Sequence, residues 1–340
     1  MKHNQLPFML IIYGPTGVGK TDLSLEIAEN LPAEIINMDV GQFYTPLSVG
    51  TAKPHWKESP IPHHLFDIID EPKNFSVSEY RKILYEKVNE ITARKKLPIL
   101  VGGSGFYLYA LLYFQTPYSN SIYMGNHIED SSKIEIVRTP IKSHEISLDS
   151  WQKLYSIDPQ RAMAIEKNDI YRIERALNIW KLTGTLPSSY KPEYCPQADY
   201  SIIFIERERQ ELKDRINARV IEMFNNGWIE EAQSLMNTPW RPFLKKKNLI
   251  GYNEIFDYLS EKKTENDFQR MIQTIQAKTR QYAKRQFTFW RKLEREIKKE
   301  NQYTSMYVGC VESVNISDPQ RMLYSKELIK QLLSRWRNNE

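Results

Sequence analysis

The sequence predicts an α/β fold: a doubly wound parallel sheet of the P-loop NTPase-like kind, with a mostly helical insertion domain and a helical C-terminal part. Three observations predict it. Residues Gly14, Pro15, Thr16, Gly17, Val18, Gly19, Lys20 and Thr21 match the phosphate-loop pattern G-x-x-x-x-G-K-[ST] at every defined position. Three apolar runs, each followed by a stretch of helical spacing, fill roughly the first hundred residues, as βαβ units do. A further apolar run, Tyr200 to Ile205, lies far downstream and is expected to rejoin the same sheet.

The phosphate-loop match has a physical basis. Phe8 to Ile12 reads as a buried strand, and the glycines after it let backbone N–H groups curl around an anion. Thr21 to Asn30 reads as a helix whose positive N-terminal end faces that anion. Lys20 would neutralise a terminal phosphate, and the Thr21 hydroxyl would sit where a Mg²⁺ ion is held. Nucleotide-binding and ATP-binding proteins share the pattern, so alone it predicts a di- or triphosphate and no more.

With 340 residues, 41% of them hydrophobic, the chain is long enough for two domains or for one domain with a large insertion. A formal charge of +5 is too mild to point to a partner, so a basic surface must be argued from where the charges fall. Cys195 and Cys310 stand far apart without C-x-x-C neighbours, which excludes a disulfide framework and a cysteine zinc site. The chain enters its first strand without a signal peptide, and no apolar run reaches the length of a membrane span. A cytoplasmic protein with no membrane association is expected, and a monomer is the default.

Taken in order, Glu34 to Asp39 reads as a second strand ending in a carboxylate. Ligands bind outside the C-terminal ends of strands in open α/β sheets, which would put Asp39 beside the phosphate loop; an Asp that merely caps the next turn is the equal alternative. The polar loop Gly50 to Pro54 carries Lys53 on the same side. His63 and His64 would point to opposite faces of a strand, so they are expected to be structural rather than to share a metal. Ser76 to Arg94 has helical spacing, with Ser76 and Glu79 placed for a capping box. Leu97 to Gly105 is a third strand running into glycines, and Phe106 to Tyr113 is a helix behind it.

Between Gln115 and Ile146 the periodicity dissolves, marking a boundary. Helical character returns from Trp151 to Thr183, with starts at Asp158-Pro159 and Asn168-Asp169 and a stop at Gly184. Residues 116–199 are therefore expected to form the insertion domain, and 1–115 with 200–340 the core. Glu208 to Asn226 is amphipathic, with Leu212, Ile216, Val220 and Phe224 on one face. Beside them Arg215 and Arg219 are either solvated or ion-paired, or a fork for a diphosphate. The last long helix, about Asp267 to Lys299, has the apolar stripe Met271, Ile275, Tyr282, Phe289, Leu293 and Ile297. Between Lys278 and Lys299 nine basic residues stand against two acidic ones, and interleaved aromatics turn that charge run from a plain solvated face toward nucleic acid.

Together these segments resemble the tRNA dimethylallyltransferases. The resemblance rests on Gly14 to Thr21, on Asp39 with Gln42 and Tyr44, on Gly50-Thr51-Ala52-Lys53-Pro54 and on Pro62-His63-His64-Leu65-Phe66-Asp67. It continues through Val101-Gly102-Gly103-Ser104-Gly105, Asp158-Pro159, Asn168-Asp169 with Arg172 to Leu177, and Arg215-Ile216-Asn217-Ala218-Arg219. Ile250-Gly251-Tyr252-Asn253-Glu254 and Thr279 to Arg291 complete it, in the family's order across nearly the whole chain.

The resemblance implies that the loop holds the diphosphate of dimethylallyl diphosphate instead of spending ATP. Thr21 with Mg²⁺, Lys20 and Arg219 would stabilise the leaving diphosphate, while Asp39 would accept a hydrogen bond from adenine N6 and act as general base. The acceptor would be the adenosine 3′-adjacent to the anticodon of tRNAs reading codons that begin with U, flipped out of its stack into a channel and converted to N6-isopentenyladenosine. Contacts to the tRNA anticodon stem-loop carry over to Asp39, Val40, Gly41, Gln42 and Ser104. They also fall on Tyr171, Arg172, Ile173, Glu174 and Arg175, and on Asn248, Leu249, Ile250, Gly251, Tyr252 and Asn253, with the insertion gripping the stem. The chain departs from the family pattern at Val40, where Ser is usual, at Gly41, where a larger residue is usual, at Ser104, where Thr is usual, and at Phe289-Trp290, where Trp-Phe is usual. The segment from Gln115 to Ile146 does not visibly match the family pattern, including an arginine that the pattern expects there. The rival readings are prenylation of free adenine nucleotides, a metabolite kinase, and a catalytically silent RNA-binding protein.

Overall fold

Six consecutive apolar or aromatic residues, Phe8–Tyr13, form β1 and are buried on both faces, as a central strand of a parallel sheet must be. The computed structural model describes residues 6–114, 147–189, 192–260, 264–303 and 310–318, with Glu327, Lys330, Gln331, Ser334 and Trp336. β1 leads through the phosphate loop into α1 (Lys20–Asn30), followed by β2 (Ala33–Asn37), β3 (His63–His64), α2 (Val77–Ala93), β4 (Leu97–Gly102) and α3 (Gly105–Leu112). Then come β5 (Tyr113–Phe114), α4 (Ser147–Ile157), α5 (Pro159–Met163), α6 (Ile170–Thr183) and β6 (Glu193–Tyr194). The chain returns as β7 (Asp199–Glu206), α7 (Arg209–Asn225), α8 (Trp228–Leu235), α9 (Trp240–Lys247), α10 (Tyr252–Ser260), α11 (Glu265–Tyr303) and β8 (Cys310–Asn315).

The main sheet has the order β3-β2-β4-β1-β7-β8, and every neighbouring pair is parallel. The expected doubly wound parallel sheet is therefore present. From β1 the chain builds first to one side, through β2, β3 and β4, and only later to the other, through β7 and β8. The carboxyl end of β1 is thus the topological switch point, where such sheets open a crevice. On one face Phe8, Leu10 and Ile12 pack with Leu23, Ile27 and Ala28 of α1. On the other, Tyr13 meets Trp290 of α11 at 5.5 Å between ring centroids, and Trp290 stacks on Phe204 at 4.7 Å. Each such buried side chain contributes roughly 1.5–3 kcal/mol.

Local signals hold where they were strong. Glu79 N–H donates to Ser76 Oγ at 3.2 Å and Ser76 N–H donates to the Glu79 carboxylate at 2.7 Å, closing the capping box at the start of α2. Two expectations change. The buried face of α11 runs through Ala283, Gln286 and Trp290, while Tyr282 and Phe289 are only half-buried. At about 100° per residue Tyr282 and Phe289 fall on nearly the same line of the helix, to one side of the line through Gln286 and Trp290, so both sit at the edge of the contact face. β8 was not anticipated, because Cys310–Asn315 is a short edge strand whose polar residues mask its period.

The chain divides into two compact units, Met1–Leu112 with Pro196–Glu340, and Tyr113–Cys195. In the second, α4 to α6 enclose Leu154, Ala162, Ile165, Ile173 and Ala176. Asp158 accepts the Arg161 N–H at 3.0 Å to cap α5, Asp169 accepts the Arg172 N–H at 3.1 Å to cap α6, and Gly184 ends α6 at φ +65°. The segment 115–146 lies outside the described residues. Among the described residues no helix is long and apolar enough to cross a membrane.

Candidate active site

The phosphate loop follows β1 at the switch point. Gly17 and Gly19 take φ values of +78° and +107°, a region that costs a glycine nothing. Gly19 opens α1 with no side chain bonded to the helix amides, so their N–H groups face the crevice. Lys20 curls back over the loop, its Nζ donating to the carbonyls of Gly14 at 3.1 Å and Pro15 at 3.0 Å. Burial pushes the Lys20 pKa down to about 8; Asp39 opposes that shift and Arg219 adds to it. Thr21 is exposed at the rim. A cavity of about 420 Å³ brings together Thr16, Gly17, Gly19, Lys20, Thr21, Asp39, Gln42, Arg215 and Arg219.

Asp39 stands two residues beyond β2 and begins the 3₁₀ turn Val40–Phe43, yet its side chain makes no cap hydrogen bond to that turn. The carboxylate crosses instead to the end of β4, where Oδ1 accepts the Gly103 N–H at 2.7 Å and the Ser104 hydroxyl at 3.4 Å. Asn37 holds the backbone in place by accepting the Asp39 N–H at 2.8 Å. Gly102, the last residue of β4, and Gly103 after it make this approach feasible. A Cβ on Gly102 would lie 2.7 Å from the Met38 carbonyl carbon, and one on Gly103 would lie 2.3 Å from Gln286 Nε2. Position decides between the two readings of Asp39, and it is not a turn cap.

Three arginines brace the loop from the β7–α7 side. Arg207 Nε donates to Val18 O at 3.1 Å, and Arg215 Nε donates to Gly17 O at 3.1 Å. Arg219 Nη1 donates to Thr16 Oγ1 at 3.3 Å, and Nη2 meets Ala52 O at 3.5 Å. Arg207 is spent on Glu211, whereas Arg219 has no carboxylate at ion-pair distance among the described residues. Burial lowers the Arg219 pKa, with Asp39 opposing. A buried guanidinium with no ion-pair partner among the described residues suits an anionic ligand.

The other anticipated residues are distributed unevenly. Gln42 Nε2 donates to Thr51 O at 3.2 Å, and a Cβ on Gly41 would lie 2.8 Å from Thr51 Cγ2, so both tie the turn after Asp39 to the Gly50 to Pro54 loop. Val40 N–H faces Ser104 Oγ at 3.5 Å. Lys53 is buried against Asp67 and donates to Tyr44 O at 2.8 Å, which makes it structural. His64 meets Glu34 at 2.6 Å, so it is also engaged within the fold. Between Asn248 and Asn253, Gly251 and Tyr252 are buried, Asn248 is exposed, and Asn253 donates to Asn248 Oδ1 at 3.0 Å; Leu249 and Ile250 are half-buried. In the second unit Tyr171, Arg172 and Arg175 are exposed, Glu174 is half-buried, and Ile173 is core. Along α11, Lys278 pairs with Glu254 and Arg280 with Asn217, while Arg291 lies 4.6 Å over the Phe287 ring.

Sequence reading missed two connecting residues. Gln286, a polar residue on the buried face of α11, bonds both the phosphate loop and the Gly103 turn. Its only signal was a glutamine at an apolar position of the helical period. Glu231 holds the Gly50 loop and had no sequence signal, because an exposed-looking helix glutamate is ordinary.

Fold and site define the class: an α/β protein of P-loop-like fold with a cavity at the switch point lined by Lys20, Arg215 and Arg219 together with Asp22, Asp39 and Glu222. The family model described as IPP transferase matches residues 42–293. A tRNA dimethylallyltransferase of Petrotoga mobilis is 38% identical over 294 residues, 84% of this chain and 91% of that protein. The structure of a full-length tRNA isopentenylpyrophosphate transferase from Bacillus halodurans is similar at a TM-score of 0.60 and 30% identity, covering 98% of each chain. One from Staphylococcus epidermidis gives 0.61 at 29% identity, covering 97% of this chain and 99% of that one. The chain belongs to the tRNA dimethylallyltransferase family and is an enzyme.

Proposed function

We propose that the protein transfers the dimethylallyl group from dimethylallyl diphosphate to N6 of the adenosine 3′-adjacent to the anticodon, in tRNAs reading codons that begin with U. The observation that carries this is the pairing within one cavity of a backbone-anchored carboxylate, Asp39, with the phosphate loop, Lys20 and Arg219. One side suits an amine proton and the other a diphosphate. Membership of the family and the relatives' names support the substrate class.

In the proposed step the N6 lone pair attacks the allylic carbon, the carbon–oxygen bond to diphosphate breaks, and its electron pair leaves with the diphosphate. The N6 proton passes to Asp39 Oδ2, which meets no donor among the described residues while Oδ1 is held by Gly103. Lys20, Arg219 and the loop amides take up the charge that grows on the leaving oxygen. The exposed Thr21 hydroxyl fits Mg²⁺, which is commonly held by one or two protein oxygens plus phosphate oxygens; no cage of His, Cys, Asp or Glu occurs among the described residues. Such an ion would neutralise diphosphate charge. Exposed Tyr171, Arg172 and Arg175 and the basic face of α11 would contact the anticodon stem-loop.

The test is direct. The protein is incubated with Mg²⁺, dimethylallyl diphosphate and an unmodified anticodon stem-loop with adenosines after the anticodon, and the RNA is weighed by mass spectrometry. One added prenyl group on that adenosine is expected. No added mass, or equal labelling of free AMP, would sink the proposal.

A further inference from the structure

We infer that Gln286 is a positioning residue for the transfer step, setting the separation between the phosphate loop and the Asp39 carboxylate; this rests on the reading of Asp39 as the base. Gln286 is 5% exposed and sits on α11 between Ala283 and Trp290, where the helix faces the sheet. Its side-chain amide is used at both ends. Oε1 accepts the Thr16 N–H at 2.9 Å, and Nε2 donates to the Gly103 carbonyl at 2.8 Å.

Gly103 is the pivot of the arrangement. Its carbonyl is held by Gln286 while its N–H holds Asp39 Oδ1 at 2.7 Å. Thr16 is likewise two-sided, since its hydroxyl accepts from Arg219 at 3.3 Å. A continuous path therefore runs from the cation over the loop, through Thr16, Gln286 and Gly103, to the base. The missing Cβ at Gly103, which would lie 2.3 Å from Gln286 Nε2, leaves the space that this amide fills. Holding a backbone N–H and a backbone carbonyl at once needs an acceptor and a donor on one planar head at this reach. A neutral amide has both, an ionised glutamate only accepts, and a methionine offers no donor. The bond to Thr16 also withdraws that amide from anion binding, so the donors left for a phosphate begin at Gly17.

The experiment is a double-mutant cycle read by single-turnover prenyl transfer at saturating dimethylallyl diphosphate and stem-loop, with stem-loop affinity and thermal unfolding measured alongside. Gln286→Met is expected to slow transfer by about 10- to 100-fold, the scale of a displacement near 1 Å in a reacting pair. Stem-loop affinity should stay within about twofold. In an Asp39→Asn background the same substitution should cost less than about twofold, because the group being positioned is already lost. Equal losses in the two backgrounds, or an unimpaired rate for Gln286→Met, would overturn the inference. Should Gln286→Met fail to fold, Gln286→Glu keeps the shape and the acceptor, and the same non-additivity with Asp39→Asn is required of it. A wild-type protein that transfers no prenyl group overturns the parent reading and this one together, and is recognised before any variant is made.

Discussion

Glu231 holds the backbone of Gly50: its Oε1 accepts the Gly50 N–H at 2.9 Å, while Oε2 takes the Val49 and Ser48 N–H groups at 2.7 and 2.8 Å. Tyr252 donates its hydroxyl to the same carboxylate at 2.7 Å. Gly50 and Gly251 both press on Trp228, where a Cβ on either would lie 2.1 Å from a ring atom. The Gly50 loop carries Ala52, whose carbonyl meets Arg219. Glu231→Ala would strand several amides and a buried hydroxyl, and is expected to cost roughly 3 kcal/mol. Urea unfolding measures that cost, and donor KM should rise in parallel as Arg219 loses its backstop.

Removing the charge at Asp39 isolates the base. Asp39→Asn keeps an oxygen for the Gly103 N–H, so the fold and stem-loop binding should persist. Prenyl transfer should fall by about 10²- to 10⁴-fold, the usual worth of a general base. Rapid-quench kinetics with bound RNA report this, and a rate equal to wild type would remove Asp39 from that role.

Arg219 should act on the donor rather than on the RNA. Arg219→Ala loses a desolvated cation beside Thr16, and the apparent affinity for dimethylallyl diphosphate should drop by about 10- to 100-fold, matching charged hydrogen bonds of about 1.5–3 kcal/mol. A donor titration at fixed stem-loop concentration checks it; an unchanged donor dependence contradicts the clamp.

Lys20 gives the ligand-free protein a pH signature. Its folded pKa of about 8 lies below the ordinary lysine value, so the amine discharges in the folded state as pH rises through about 8. Donor kcat/KM should decline above that pH as the charge facing the diphosphate is lost. Stability moves the other way. Between about pH 8 and the ordinary value of 10.5 the unfolded chain binds the extra proton, so this group's contribution to stability rises with pH, and Lys20→Met should flatten that part of the curve.

Acid acts through Glu34. Burial alone would raise its pKa, but hydrogen bonds from Arg94, His64 and Lys96 outweigh that and hold it near 2. The carboxylate is 3% exposed, with Arg94 at 2.7 Å, His64 at 2.6 Å and Lys96 at 3.1 Å. Its stabilisation is complete above about pH 4.5 and is lost as pH falls toward 2. Chemical denaturation across that window should show a shallower acid loss for Glu34→Gln than for wild type.

Features that depend on near neighbours were legible in the amino-acid order alone. The strand–loop–helix of Phe8 to Asn30, the capping box at Ser76 and Glu79, the caps at Asp158 and Asp169 and the stop at Gly184 all rest on residues within a few positions of each other. Hydrophobic period and cap chemistry encode such features directly. Motif order added the family, since many short patterns in one sequence are far more specific than any single one.

Which way Asp39 turns, that Gln286 joins Thr16 to Gly103 across as many as 270 positions, and that Glu231 holds the loop at Gly50 emerge first in the folded chain. It also placed β8 on the sheet edge and moved the buried face of α11 from Phe289 to Trp290. These contacts form between residues far apart in the chain, where periodicity and capping carry no information. Their geometry follows from close packing at the switch point, where glycines at 102 and 103 let two strands and a helix approach within hydrogen-bonding distance.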